Sequence, residues 1–147
     1  MMIKESKMRI ETTNSWRVRV PAGTYLLGDP CYAVPDNLWD EAGQSCDWWQ
    51  SNPVATVTVE GKEYKILGFG TAHGDGCYNC RDGIEYPVDA GLIGLVPIEL
   101  ANPQDPDFPL NSLVVFDRET LCTNDDGVMR FGNIHIDTKN QEEEEEY

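Results

Sequence analysis

Turn signals recur at close spacing along this chain, and they separate short runs in which apolar and polar residues alternate. No other feature constrains the fold as much. A period of two buries one face of a strand, whereas an amphipathic helix needs a period near 3.6. Trp16-Arg17-Val18-Arg19-Val20 alternates in this way, and Pro21-Ala22-Gly23 turns it into Thr24-Tyr25-Leu26-Leu27. Val54 to Phe69 reads as a hairpin, with Ala55, Val57 and Val59 on one face, Thr56 and Thr58 on the other, and a turn at Glu60-Gly61-Lys62-Glu63. Leu113-Val114-Val115-Phe116 is a further strand. The last hairpin turns at Asp126-Gly127, where both central positions need positive φ.

In its return strand Met129 and Phe131 are apolar at odd positions, but Ile134 and Ile136 at even ones. A one-residue slip is expected, with Gly132 as the bulge. That register places His135 with Asn133 and Asp137 on the polar face, as a solvated surface histidine.

Helix is scarce. Pro35 to Gly43 predicts a short one, with proline at the first helical position, acids in the first turn and Gly43 at a left-handed end. Pro97 to Ala101 predicts a single helical turn, and 102–111, with Pro103, Pro106 and Pro109, a stiff loop. Ser45 to Pro53 is a loop whose Trp48 and Trp49 either pin it to the core or form a surface contact. About seven short strands and one or two short helices predict a mainly β fold, an antiparallel β-sandwich or a partly open barrel. The expected organisation is a flexible lead-in over 1–14, one β-rich domain over 15–138 and a disordered acidic tail over 139–147.

The formal charge of −15 is unevenly spread, with five glutamates at 142–146. No basic residue lies between Arg19 and Lys62, or between Arg81 and Arg118. Nucleic-acid binding needs Lys and Arg to replace released counterions, so it is disfavoured, and a cation or a basic protein surface is the more natural partner. No apolar run reaches the length of a membrane span, and the N-terminus lacks the apolar block of a secretion signal. Five cysteines, an odd number, fit reduced thiols and a cytoplasmic location.

Candidate chemistry concentrates in Gly70 to Val96, which holds His73, Asp75, Cys77, Tyr78, Cys80, Asp82 and Asp89. Gly74-Asp75-Gly76-Cys77-Tyr78 echoes Gly28-Asp29-Pro30-Cys31-Tyr32 upstream. Cys77 and Cys80 form a CxxC that suggests zinc. If Asp82-Gly83 is a two-residue hairpin turn, however, the two cysteines point to opposite faces of a strand. That register pairs Cys77 with Val88 and Cys80 with Glu85, and sets Asp89 opposite Gly76 and diagonal to Asp75. Asp75 and Asp89, joined by Asp29, could then hold a divalent cation. The competing reading is that these aspartates satisfy turn amides. Cys31 and Cys77 are candidate nucleophiles with His73 as base, although their acidic, base-free surroundings disfavour a thiolate.

The motifs Tyr25-Leu26-Leu27-Gly28-Asp29-Pro30-Cys31-Tyr32, Gly74-Asp75-Gly76, Val88-Asp89-Ala90-Gly91-Leu92-Ile93-Gly94 and Gly132-Asn133-Ile134-His135-Ile136-Asp137-Thr138 span most of residues 16–138. In these the chain resembles a family of small uncharacterised proteins encoded by bacteriophages and related bacterial loci. The resemblance implies an accessory protein of the host cytoplasm, with no catalytic residues to carry over.

The leading expectation is a non-enzymatic acidic protein that binds a basic protein surface or a small-molecule ligand. Its candidate ligand-binding residues are Asp29, Cys31, Tyr32, Trp48, Trp49, His73, Asp75, Tyr78 and Asp89. The alternatives are a metal-assisted or cysteine-dependent hydrolase built on the same Asp/His/Cys cluster, and a DNA-mimic inhibitor. A DNA mimic would space its acids regularly, and here the spacing is irregular.

Overall fold

A computed structural model describes residues 9–10, 16–48, 52–81, 83–101 and 111–139. In chain order the strands are β1 (Arg9–Ile10), β2 (Trp16–Val20), β3 (Gly23–Gly28), β4 (Val54–Val59), β5 (Lys62–Gly70), β6 (Gly76–Asn79), β7 (Glu85–Val88), β8 (Leu92–Pro97), β9 (Ser112–Phe116), β10 (Thr120–Asp125), β11 (Val128–Phe131) and β12 (Ile134–Asp137). One α-helix, α1 (Asp36–Gln44), and two 3₁₀ turns, Pro30–Tyr32 and Ile98–Leu100, complete the described elements.

The strands form two five-stranded sheets, ordered β1-β2-β10-β11-β12 and β4-β5-β8-β3-β9, and a separate β6-β7 hairpin. Every pairing is antiparallel. The fold is therefore a sandwich of two open sheets, and neither closes into a barrel.

Alternation in the sequence becomes inside and outside in the first sheet. Val18, Val20, Cys122, Met129, Phe131 and Ile136 face the second sheet and form a core with Tyr25, Leu27, Leu67, Phe69, Ile93 and Leu95. Arg17 and Arg130 face outward and are exposed. Around its central strand β8 the second sheet is buried on both faces. Leu26, Ala55, Val57, Ile66, Leu92 and Val96 pack on its far side with Ala42 of α1 and Trp48. This double burial explains why Leu92 to Val96 is a continuous apolar run rather than an alternating one.

Three glycines cross the second sheet in register, with Gly94 opposite both Gly28 and Gly68. A methyl group at Gly94 would collide with the Leu67 carbonyl oxygen, and one at Gly68 would lie 2.9 Å from the Trp48 ring. Trp48 therefore lies flat on the sheet against Gly68, with Trp39 at a ring-centroid distance of 5.2 Å.

Several local expectations need correction. The β11–β12 connection is a tight turn at Gly132-Asn133, not a bulge, because Phe131 pairs with Ile134. Gly132 at φ +65° takes the position that requires it. A two-residue turn changes the parity of the apolar positions just as a bulge would. In α1, Pro35 is the N-cap residue, and the helix ends at Ser45 in the right-handed region, beyond the left-handed end expected at Gly43. The turn after β4 is Glu60-Gly61, both at positive φ, so β5 starts at Lys62. Arg9–Ile10, inside the expected lead-in, pair with β2. Asp126-Gly127 turns as expected, with both residues at positive φ. Residues 102–110, Trp49, Asp82 and the acidic tail beyond Lys139 lie outside the described residues.

Candidate functional site

Asp29 is 0 % exposed, and its carboxylate is fully engaged. It caps the Pro30–Tyr32 turn by accepting the Cys31 N–H through Oδ1 at 3.0 Å. Its Oδ2 accepts the N–H groups of Asp89 at 2.8 Å and Ala90 at 2.7 Å. The GDPCY turn and the start of the VDAGLIG motif are thus neighbours in space, joined by a buried carboxylate that satisfies backbone donors. Of the two sequence readings for Asp29, the geometry is that of turn-amide satisfaction. No ligand can reach it.

The echo between the two glycine-aspartate motifs is not structural. Asp75 precedes β6 and is exposed, while Asp89 contributes its backbone N–H to Asp29 and leaves its side chain exposed. Tyr78 is buried, and its hydroxyl donates to the Gly74 carbonyl at 2.8 Å, closing the loop before β6. His73 is exposed, its Nε2 3.2 Å from the Lys139 carbonyl oxygen. Cys31 and Tyr32 are half-buried on the 3₁₀ turn. Trp48 is a core residue, which decides between its two expected roles.

The β6-β7 hairpin has a three-residue connection, not the expected two. Cys80 donates to the Ile84 carbonyl at 2.9 Å, and Gly83, at φ +92°, donates back to Cys80 at 3.0 Å. Cys77 consequently pairs with Pro87 and Tyr78 with Tyr86. The one-residue change in register carries Asp89 from opposite Gly76 to opposite Asp75, one step past the Gly76–Val88 pair that ends the ladder. Cys77 and Cys80 do lie on opposite faces, the first exposed and the second buried. Among the described residues no three His, Cys, Asp or Glu side chains group to hold a metal ion. Burial pushes the thiol of Cys122 up to about 12 and that of Cys46 up to about 11.

A different region offers a surface of the right kind for binding. Chain crossing between the sheets at Asp117–Glu119 and the Gly132-Asn133 turn frame an open cleft of about 780 Å³. Val114, Phe116, Phe131 and Ile134 supply its apolar lining, and Asp117, Arg118, Glu119 and Asn133 its polar margin. Such a volume is within the range of ligand clefts. Phe116 is held by Tyr25 at a ring-centroid distance of 5.7 Å. Tyr25 donates to the Pro21 carbonyl at 2.7 Å, and burial, reinforced by Cys122 and Glu99, pushes its phenol up to about 12. Leu113 and Val115, the latter also lining the cleft, are 61 % and 67 % exposed on β9, an edge strand of the second sheet among the described residues.

Sequence reasoning recognised Leu113 to Phe116 as a strand but not as a surface. An unbroken apolar run reads as a strand buried on both sides. The available signal was the charged Asp117-Arg118-Glu119 directly after it. No family model matches the chain, and no curated protein or solved structure matches it. No described helix is long and apolar enough to cross a membrane.

Proposed function

We propose that this chain is a non-enzymatic binding protein that receives an extended segment of a partner protein along the β9 edge, with partner side chains entering the adjoining cleft. The observation that carries this reading is the pair of large apolar side chains, Leu113 and Val115, exposed on an edge strand. Edge strands are normally blunted by charge, proline or cover, because their free backbone groups recruit further strands. An added strand gains main-chain hydrogen bonds, and alternate side-chain contacts give it specificity. Here β9 alternates half-buried and exposed positions along its length. Asp117, Arg118 and Glu119 follow it, with Arg118 Nε 3.6 Å from Asp117 Oδ1, on a chain of net charge −15. The fitting partner segment is therefore apolar at alternate positions and flanked by Lys or Arg. The resemblance to bacteriophage proteins supplies a setting, a host protein in the bacterial cytoplasm. The hydrolase reading loses Asp29, whose oxygens are engaged by backbone donors.

Selection of a displayed peptide library on the immobilised full chain tests this proposal. The expected winners alternate apolar residues, carry flanking Lys or Arg, and bind Leu113→Glu and Val115→Glu at least tenfold more weakly. Winners that bind both variants as well as the parent would overturn the reading. So would a homodimer in sedimentation that these substitutions dissolve, since the partner would then be a second copy.

A further inference from the structure

The outer face of the first sheet carries a second site that the partner-strand reading does not use. The register lines up Arg17, Thr123, Arg130 and His135 across β2, β10, β11 and β12. On the far side of β12, the Arg81 N–H donates to the His135 carbonyl at 3.1 Å, and Cys80 bridges Ile136. The tip of the β6-β7 hairpin thus continues this face. A small pocket of about 160 Å³ opens at the junction, lined by Asn79, Cys80, Arg81, His135 and Asp137.

Two observations there point to a ligand. Both ring nitrogens of His135 are shielded from solvent, and neither has a hydrogen-bond partner among the described residues. A buried imidazole left without partners is costly. Second, Arg81 and Arg130 flank it without an ion pair among the described residues, in a chain with 26 acidic side chains.

We infer that Arg81, Arg130 and His135 form a binding site for a single phosphate group carried by a small molecule. Guanidinium forks match the oxygens of such a group, and the His135 ring N–H adds a donor. A long polyanion fits less well, because the next row along the same face carries Asp125, Val128 and Asp137. Those acids confine the positive field to one charged group.

Burial holds the His135 imidazole below its ordinary value, assisted by Arg81 and then Arg130, with Asp137 opposing. The unfolded chain then binds the proton more readily than the folded one. The stability linked to His135 is complete above the ordinary imidazole value of about 6.5 and is lost as pH falls toward the depressed folded value. A bound anion reverses the electrostatic bias and must raise the His135 pKa. By reciprocity, anion affinity rises as pH falls through that range.

Inorganic sulfate is the suitable probe, since it shares the tetrahedral geometry and does not itself titrate between pH 5 and 8. Imidazole resonances of the full chain, assigned with His73→Asn and His135→Asn, are followed against sulfate and pH. The expected result is saturable movement of the His135 signal, a raised pKa in sulfate, and at least tenfold weaker binding in Arg81→Gln and Arg130→Gln. Both arginines are exposed, so these variants keep the fold. Movement matched by chloride at equal ionic strength would overturn the site, as would binding unchanged in the double variant. Binding of a single-stranded oligonucleotide without binding of sulfate would also overturn it, in favour of a polyanion surface.

Discussion

Asp29 accepts N–H groups from residues 60 and 61 positions further along the chain, and it does so without any exposure to solvent. Removing the carboxylate orphans three backbone donors, those of Cys31, Asp89 and Ala90. Asp29→Ala is therefore expected to cost about 3 kcal/mol or more in urea unfolding, since each buried unsatisfied donor costs about 1–3 kcal/mol. Asp29→Asn, which keeps one acceptor oxygen, is expected to cost less. A variant as stable as the parent would show that these donors find other partners. The Asp-Pro pair made the local turn legible in the sequence, including its amide-capping role. The distant half of the interaction was not legible, because only the folded chain brings residues 89 and 90 beneath residue 29. Candidate residues Tyr78 and Trp48 were hidden in the same way. Its motif singled out Tyr78, and Trp48 was expected either in the core or at a surface contact, whereas burial commits Tyr78 to the Gly74 carbonyl and Trp48 to the sheet.

Strands and turns were read more securely than the faces they present. Period-two patterns located β2 and β4 closely, an unbroken apolar run located β9, and the Asp126-Gly127 turn required only its local conformation. The β6-β7 register depended on a single residue of loop length, which Asp-Gly chemistry alone does not determine. Glycines illustrate the same divide. Gly94 sits where β8 meets β5, and a methyl group there collides with the Leu67 backbone, which has no rotamer to adjust. Gly94→Ala is expected to cost about 3 kcal/mol or more in urea unfolding, at the upper end for overpacking. Gly43, in α1 and with nothing within 4 Å of an added methyl group, is expected to gain about 0.5–1 kcal/mol on replacement by alanine. Equal effects at the two positions would contradict the packing described for the second sheet.

At the scale of the whole molecule, the sandwich class was legible, and the sheet order was not, because long-range pairing leaves no local pattern. That order decides where function can lie. It makes β9 an edge and places Leu113 and Val115 in solvent. It also brings Arg17 of β2 into one row with Arg130 and His135 of the distant β11–β12 hairpin. The β9 surface lies outside the Gly70 to Val96 stretch, whereas the second surface takes Arg81 from it. The partner-strand account is tested most directly by amide hydrogen exchange of the full chain with a selected peptide bound. Slowed exchange over Ser112–Phe116, with β6 and β7 unchanged, is the predicted result. Protection confined to the β6-β7 hairpin and the Asp29 turn, with β9 exchanging as in the free chain, would contradict it.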